Sequence, residues 1–442
     1  MTSLAREIAR WARARFDEPL PGGIARKVQL HILDATSIAM AARVEEIGEQ
    51  ILRAATISGG EGPARVLGGI GGKSTSGLAP TAAAFANAGL IHALDFDDIH
   101  DGARLHPTAV VLPAVLAVAD LIGSDDSERL SRAVAVGSEV MCRMGELTEP
   151  AGTGAGSGWF LTQLYGYVGA SIAAGLMLFL NEDELVSAIG VATMQAAGAR
   201  QAAYGAGSTA RSVYPAFAAE GGVRAALLAR EGFVGPEEGL EGEAGLFPLY
   251  LGHQLDAAQT RRLVDDSSAW SFLATDVKRW PCCRLSHTYV AAAIDLRAQL
   301  GDSRPERIII DVNRSANRLC QPAGPRRRPS TLVDAKYSIP FMVAFTLERG
   351  APTLDSLTVD VLKNLEILAT ADRIEVRETG IDNAGHPEAV VTVESEGRTL
   401  TSSIDTLAPM SESAIRDKIA LCVARALENT RDLIENGPVP LT

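Results

Sequence analysis

Seven consecutive residues, Asp95-Phe96-Asp97-Asp98-Ile99-His100-Asp101, carry four carboxylates and a histidine, and His106-Pro107 follows shortly after. Three chemistries suit such a cluster. It can be a solvated interhelical loop with a helix cap. It can ligate a metal, since carboxylates and imidazoles are ligands. It can move protons, because histidine titrates near neutrality and carboxylates below it. No second His or Cys cluster has ligand spacing, so no metal is expected. A loop that projects His106 and one or more carboxylates into a cleft is the favoured expectation.

Two further segments carry polar groups at high density. The run Lys278-Arg279-Trp280-Pro281-Cys282-Cys283-Arg284-Leu285-Ser286-His287 reads as core at Trp280 and the cysteines, with His287 capping a helix and Lys278 exposed toward a cleft. A Cys–His nucleophilic dyad is the alternative there. The stretch from Gly205 to Pro215 is rich in small residues around Arg211. It lacks the Gly-Lys-Ser/Thr ending of a phosphate loop and no strand is read before it. It is either an approach of backbone to a ligand with Arg211 as an anion clamp, or a tight turn with a solvated arginine.

The elements that must hold these groups come mostly from small apolar residues. The chain has 442 residues, 47% of them hydrophobic and only 5% aromatic, which predicts two domains and closely packed helices. Leu4 to Phe16 is a charged amphipathic stretch rather than a signal core. Helical spacing or near-continuous apolar content covers Ile24 to Ala42, Thr81 to Leu94, Thr108 to Ile122, Leu130 to Met144, Gly166 to Leu180 and Ala218 to Glu231. Acids at Glu182-Asp183-Glu184 open one more helix. From Asp266 the texture changes. Strands are expected at 307–312, 373–376, 389–393 and 399–404, a turn at Gly385-His386-Pro387, and a helix from Asp334 to Glu348 delayed or kinked by Pro340. The tail from Ser411 to Ile434 is helical again. The expected architecture is mostly α: a helical domain of 1–265 with 405–442, and an α/β lid domain of 266–404.

Composition also excludes classes. A net charge of −13 argues against a nucleic-acid partner, and Arg326-Arg327-Arg328 reads as a solvated loop. No stretch is apolar for long enough to span a membrane. The five cysteines are odd in number and two are adjacent, which suits neither a disulfide framework nor zinc. A reducing cytoplasm is the expected compartment.

In order along the chain, "HALDFDD", "LHP", "GWFLTQLYGYVGA", "GSTARSVYPAFAAEGGV", "KRWPCCRLSH" and "DAKYSIPF" resemble the MmgE/PrpD family. The resemblance implies a helical domain, a smaller α/β lid, a homodimer, and a cleft that binds small carboxylates without metal or organic cofactor. It implies removal of a proton or carboxylate α to a carboxylate, with general acid help. Such a reaction needs fixed cations and donors where charge spreads onto the carboxylate.

Carried over residue by residue, Asp95, His106 and Lys278 match the family pattern. Ile99 stands where the family has Thr, Phe160 where it has His, Arg211 where it has Lys, and Phe341 where a Tyr is frequent. Cys283 aligns with a His of the decarboxylase branch. Phenylalanine cannot transfer a proton and arginine is a poor acid or base. Tyr165, Tyr204, Tyr214 or His100 could supply a replacement acid. The expected acid–base pair is His106 and Lys278, with Asp95, Asp98, His100, Arg211, Cys283, Tyr214 and Phe160 around the substrate. A lyase is favoured over an isomerase or epimerase, and over a ligand-binding relative without activity.

Overall fold

The computed structural model describes residues 2–68, 77–148, 158–203, 207–267, 269–379 and 388–436, the last eight of these as helical backbone only. The first half is helical. α1 (Leu4–Asp17), α2 (Gly22–Arg43) and α3 (Glu46–Gly59) lead to a short strand β1 (Glu61–Ala64) and α4 (Pro80–His92). A three-residue strand β2 (Asp98–His100) precedes α5 (Pro107–Leu121) and α6 (Ser127–Leu147). α7 (Leu161–Met177), α8 (Glu182–Gln195) and α9 (Tyr214–Arg230) complete the main bundle, and two short helices, α10 (Leu246–Leu251) and α11 (Ala257–Leu263), follow. The acids expected at the start of α8 are there, and Asn181 and Glu184 close a capping box.

α7 shows why small residues dominate. Every residue from Leu161 to Met177 is buried, and α5, α6, α8 and α9 surround it. A helix apolar all round belongs inside. A Cβ on Gly169 would lie 2.3 Å from Met141 Cγ and 2.8 Å from the Gly137 carbonyl. Glycine at both positions is what lets α6 and α7 approach so closely.

The second half opens with β3 (Thr275–Val277), which leaves the bundle. Then come α12 (His287–Leu300), β4 (Arg307–Val312), the short helices α13 (Arg314–Asn317), α14 (Ala323–Arg327) and α15 (Leu332–Lys336), and α16 (Ile339–Arg349). α17 (Leu365–Asp372), β5 (Ile374–Glu378), β6 (Ala389–Ser395) and β7 (Arg398–Ile404) follow. The sheet order is β5-β4-β6-β7, parallel only between β4 and β5. Alternate residues Ala389, Val391 and Val393 of β6 face a second core, which α12 and α16 cover. Glu396 and Gly397, both at positive φ, make the tight β6–β7 turn. α18 (Glu412–Asn436) returns to lie along α2, where Lys418 pairs with Asp34 at 2.9 Å. Among the described residues no helix is long and apolar enough to cross a membrane.

Three expectations change. The first half is not purely helical: β1 and β2 are too short to leave a periodic signal. The single helix expected from Asp334 to Glu348 is two, α15 and α16, broken at Tyr337-Ser338. The Ser338 hydroxyl caps α16, and Pro340 sits in its first turn, where its missing N–H costs nothing. The arginine run is solvated only at Arg328, since Arg326 and Arg327 end α14. Arg326 is 1% exposed and donates to the carbonyls of Gln321 at 3.1 Å, Tyr337 at 3.1 Å and Ala203 at 3.4 Å. The Gly385-His386-Pro387 turn lies outside the described residues.

Candidate active site

The site begins at an antiparallel ribbon. β2 pairs with β3 in the register Asp98↔Val277, so Lys278 follows on directly beside the acidic loop. α4 ends at His92, and Asp95, at φ +54°, turns the chain sharply out of it. Aspartate tolerates the left-handed region better than most residues, and such strain clusters at functional sites. Lys278 holds the turn: its Nζ donates to the Asp95 Oδ1 and, at 3.1 Å, to the Asp95 carbonyl. It was expected to be exposed toward a cleft; it is 1% exposed, because two carboxylates need a cation there.

Asp97 is the centre of the cluster. Its Oδ1 lies 3.6 Å from Lys278 Nζ. Its Oδ2 accepts from His92 Nδ1 at 2.8 Å and lies 3.3 Å from His106 Nδ1. Burial pushes this carboxyl up, but His106, His92 and Lys278 outweigh it and hold it below the ordinary carboxylate range. Burial would discharge Lys278, yet Asp95 and Asp97 prevail and keep it charged beyond its usual range. His106 goes the other way. Burial lowers its pKa more than Asp97 restores it, so the ring is neutral at pH 7. Its Nδ1 contacts the Asp98 carbonyl, which only accepts, so Nδ1 carries the proton and Nε2 the basic lone pair. The imidazoles of His92 and His106 meet edge to face with centroids 5.0 Å apart.

Beside this cluster is a small, partly open recess with room for about one water, lined by His92, Asp95, Arg211, Ser212, Lys336 and Tyr337 among others. Its walls come from both halves of the chain. Arg211, 2% exposed, is no solvated arginine. Its Nε and Nη2 donate to the Ala202 carbonyl at 3.0 and 2.8 Å, and the guanidinium lies over the Tyr337 ring at 3.9 Å. Nη1 is buried and without a partner among the described residues, as is Asp95 Oδ2. A buried donor of this kind is costly unless something supplies an acceptor. Tyr337 Oη donates to Asp95 Oδ1 at 3.3 Å, and Lys336 Nζ to the Leu94 carbonyl at 2.9 Å.

The other expected residues divide. Phe160 stacks on Tyr214, whose ring meets His92 at 4.8 Å. The Tyr214 hydroxyl is 3.5 Å from Thr162 Oγ1, and burial keeps it protonated. Cys283 lies close enough to Asp95 and Lys278 to feel their charge, and burial raises its thiol pKa. Asp98 and His100 are not brought into the recess. Asp98 accepts from His31 Nδ1 at 3.1 Å and Thr108 N at 3.2 Å. His100 pairs with Glu146 at 3.2 Å and the Ser271 carbonyl at 3.0 Å, and accepts from Ala103 N. Alternation along β2 turns successive side chains to opposite faces, which no count of residues reveals. Tyr165 lies within α7 and Phe341 in the second core. Tyr204 is outside the described residues. His287 opens α12 fully buried, with its ring on Trp280 rather than capping the helix.

Sequence reasoning passed over His92, Lys336 and Tyr337. His92 is one α4 turn from the loop that carries Asp97, so a signal existed in the spacing. Lys336 and Tyr337 lie in the matching "DAKYSIPF" run, but nothing in its spacing says that it arrives at the site from the other half of the chain. His92, Asp97 and His106 also stand close enough together to hold one cation, a convergence that linear spacing hid. The fit is poor: Nδ1 protons already occupy Asp97 Oδ2 and the Asp98 carbonyl, and the Lys278 ammonium, 3.6 Å from the other Asp97 oxygen, already supplies the positive charge there.

The architecture is a helical bundle with an α/β unit against it, and a buried cluster of carboxylates, imidazoles and lysine lies where they meet. Residues 6–258 match the MmgE/PrpD N-terminal domain and residues 280–436 the MmgE/PrpD C-terminal domain. A cis-aconitate decarboxylase of Aspergillus terreus is 27% identical over 77% of this chain and 71% of its own length. The cis-aconitate decarboxylase-like protein oryM of Aspergillus oryzae is 24% identical over 98% of this chain and 94% of its own. The human cis-aconitate decarboxylase is 26% identical over 79% and 74%. The chain belongs to the MmgE/PrpD family, and its relatives are lyases.

Proposed function

We propose that this chain is a lyase that removes water or carbon dioxide from a small carboxylate by proton transfer at the α carbon, without metal or organic cofactor. The observation that carries the proposal is Asp97, held between neutral His106 and charged Lys278 beside a recess in which Arg211 keeps an unpaired donor. His106 Nε2 takes the α proton. Asp97 and the Asp98 carbonyl fix the ring and its tautomer and stabilise the imidazolium that forms. Lys278 remains charged and steadies the negative charge that spreads onto the substrate carboxylate. Arg211 Nη1 grips an anionic group of the substrate. Phe160 and Ile99 replace polar family positions, which suits a substrate less highly charged than a citrate.

The family resemblance supports a homodimer. The five free thiols suit a reducing cytoplasm. The test is incubation with a panel of di- and tricarboxylates, cis-aconitate included, in heavy water. Loss of water or carbon dioxide supports the lyase. Deuterium exchange without net conversion would instead make the enzyme an isomerase or epimerase. Neither outcome across the panel, with the protein folded, would overturn the proposal.

A further inference from the structure

Two lysines reach this site, and they are built differently. Lys278 is pinned by Asp95 and Asp97. Lys336, 6% exposed at the end of α15, lines the recess, and its Nζ has the Leu94 carbonyl as hydrogen-bond partner. Among the described residues no carboxylate lies within ion-pairing distance of it. A carbonyl accepts a hydrogen bond from an uncharged amine as readily as from an ammonium, so this contact does not require the charge.

We infer that Lys336 is a second proton-transfer residue of the site, giving a proton from its ammonium to the bound carboxylate substrate. The inference rests on the proposed α-carbon chemistry. In one case His106 takes the α proton, the C–H electrons form the double bond, and the Lys336 ammonium gives its proton to the β hydroxyl, which leaves as water. In the other, the ammonium gives its proton to the carbanion left when carbon dioxide departs. The family positions filled here by Phe160 and Arg211 leave the chain short of such groups, and Lys336 enters from the opposite half to supply one.

The surroundings agree. Burial lowers the Lys336 pKa to about 8, against opposing pulls from Asp95, Glu45 and Cys282, while Lys278 lowers it further. Arg211, His92 and Tyr337 also face the recess. Arg211 adds positive charge. His92 Nδ1 is committed to Asp97, and burial keeps the Tyr337 phenol protonated. An amine near this value is poised to give and take protons at working pH, the condition for efficient acid–base catalysis.

The test uses the full chain with Lys336→Arg and Lys336→Met. Both should lower kcat on whichever carboxylate the wild type converts by at least about a hundredfold, with KM changed little. A limb near pH 8 in the wild-type rate profile should be absent from the residual activity. Lys336→Arg keeps the charge but cannot release a proton. If it retains more than about a tenth of wild-type turnover, the residue is a positioning cation and the inference fails. Independently of any substrate, trace acetylation with acetic anhydride across pH 6.5 to 10.5, read by peptide mass spectrometry, should show Lys336 half-reactive about two pH units below surface lysines. Half-reaction with the surface lysines would overturn the inference whether or not a substrate is found. A low value with no turnover on the whole panel would support the amine and overturn the proposed function alone.

Discussion

Phe160 lies flat on Tyr214, ring centroids 4.1 Å apart and planes within 11°. Tyr214 in turn meets His92, so a group at position 160 is one ring away from the Asp97 cluster. Phe160→His puts an imidazole where the family pattern has one. It should create or raise dehydratase or decarboxylase activity on citrate-like substrates at least tenfold over the wild type, read by NMR of the product. A folded variant with no gain would mean that the apolar wall belongs to a different substrate, not to a weakened citrate site.

His106→Ala should cut turnover by about a hundredfold or more, the scale of a lost general base. The base works neutral, and burial lowers its pKa, so the acid limb of kcat/KM should fall below 6.5. A limb at or above 6.5, or a variant with wild-type rate, would remove His106 from the mechanism.

Arg211→Ala should raise KM at least tenfold, on the order of 1.4 kcal/mol of binding, and change kcat less. The reason is the Nη1 donor, which lacks a partner until an anion arrives. Arg211→Lys should recover only part of the loss, since a lysine cannot keep both contacts to the Ala202 carbonyl and offer a third donor in plane. Steady-state kinetics of the two variants decide this, and an unchanged KM in Arg211→Ala would refute it.

Lys336 should also be visible in stability. Its folded pKa, about 8, is below the ordinary 10.5, so between those values the unfolded chain binds more protons. Stability from this group is therefore full above pH 10.5 and is lost as pH falls through 8. Urea unfolding at pH 8, 9 and 10 should show the wild type gaining on Lys336→Met with rising pH, by at most about 3 kcal/mol. Parallel curves would contradict it.

Dialysis against chelator should leave activity unchanged, because His92, Asp97 and His106 are tied to one another by protons rather than waiting for a cation. Activity lost on dialysis and regained with a divalent metal would reverse this reading.

The helices were legible because an apolar helix of a dozen or more residues leaves a long signal; α5, α6 and α9 lie within a turn or so of their expected ends. The sheet strands were legible through β-branched runs such as Ile308-Ile309-Ile310. The acidic loop, His106, Lys278 and Arg211 were legible as chemistry, from residue type and family pattern. Their arrangement was not. Asp98 and His100 looked equal to Asp97 until the three-residue β2 assigned each a face. Lys336 and Tyr337 looked like the middle of one helix until the break at Tyr337-Ser338 put them at the end of α15, in the recess wall. These choices come from pairing and packing between distant segments, which a local pattern does not encode.

The β2–β3 ribbon joins segments nearly 180 residues apart. Closing so long a loop must precede any reward from the contacts it brings, which makes this a late event in folding. A chain emerging from the ribosome up to the end of α11 holds His92, Asp97 and His106 but not Lys278. Its acidic loop has His31 for Asp98 and His92 for Asp97, but no lysine for Asp95 until the second half is made. The cluster is thus complete only when the second half is, and a half-made chain lacks Lys278, Lys336 and Tyr337.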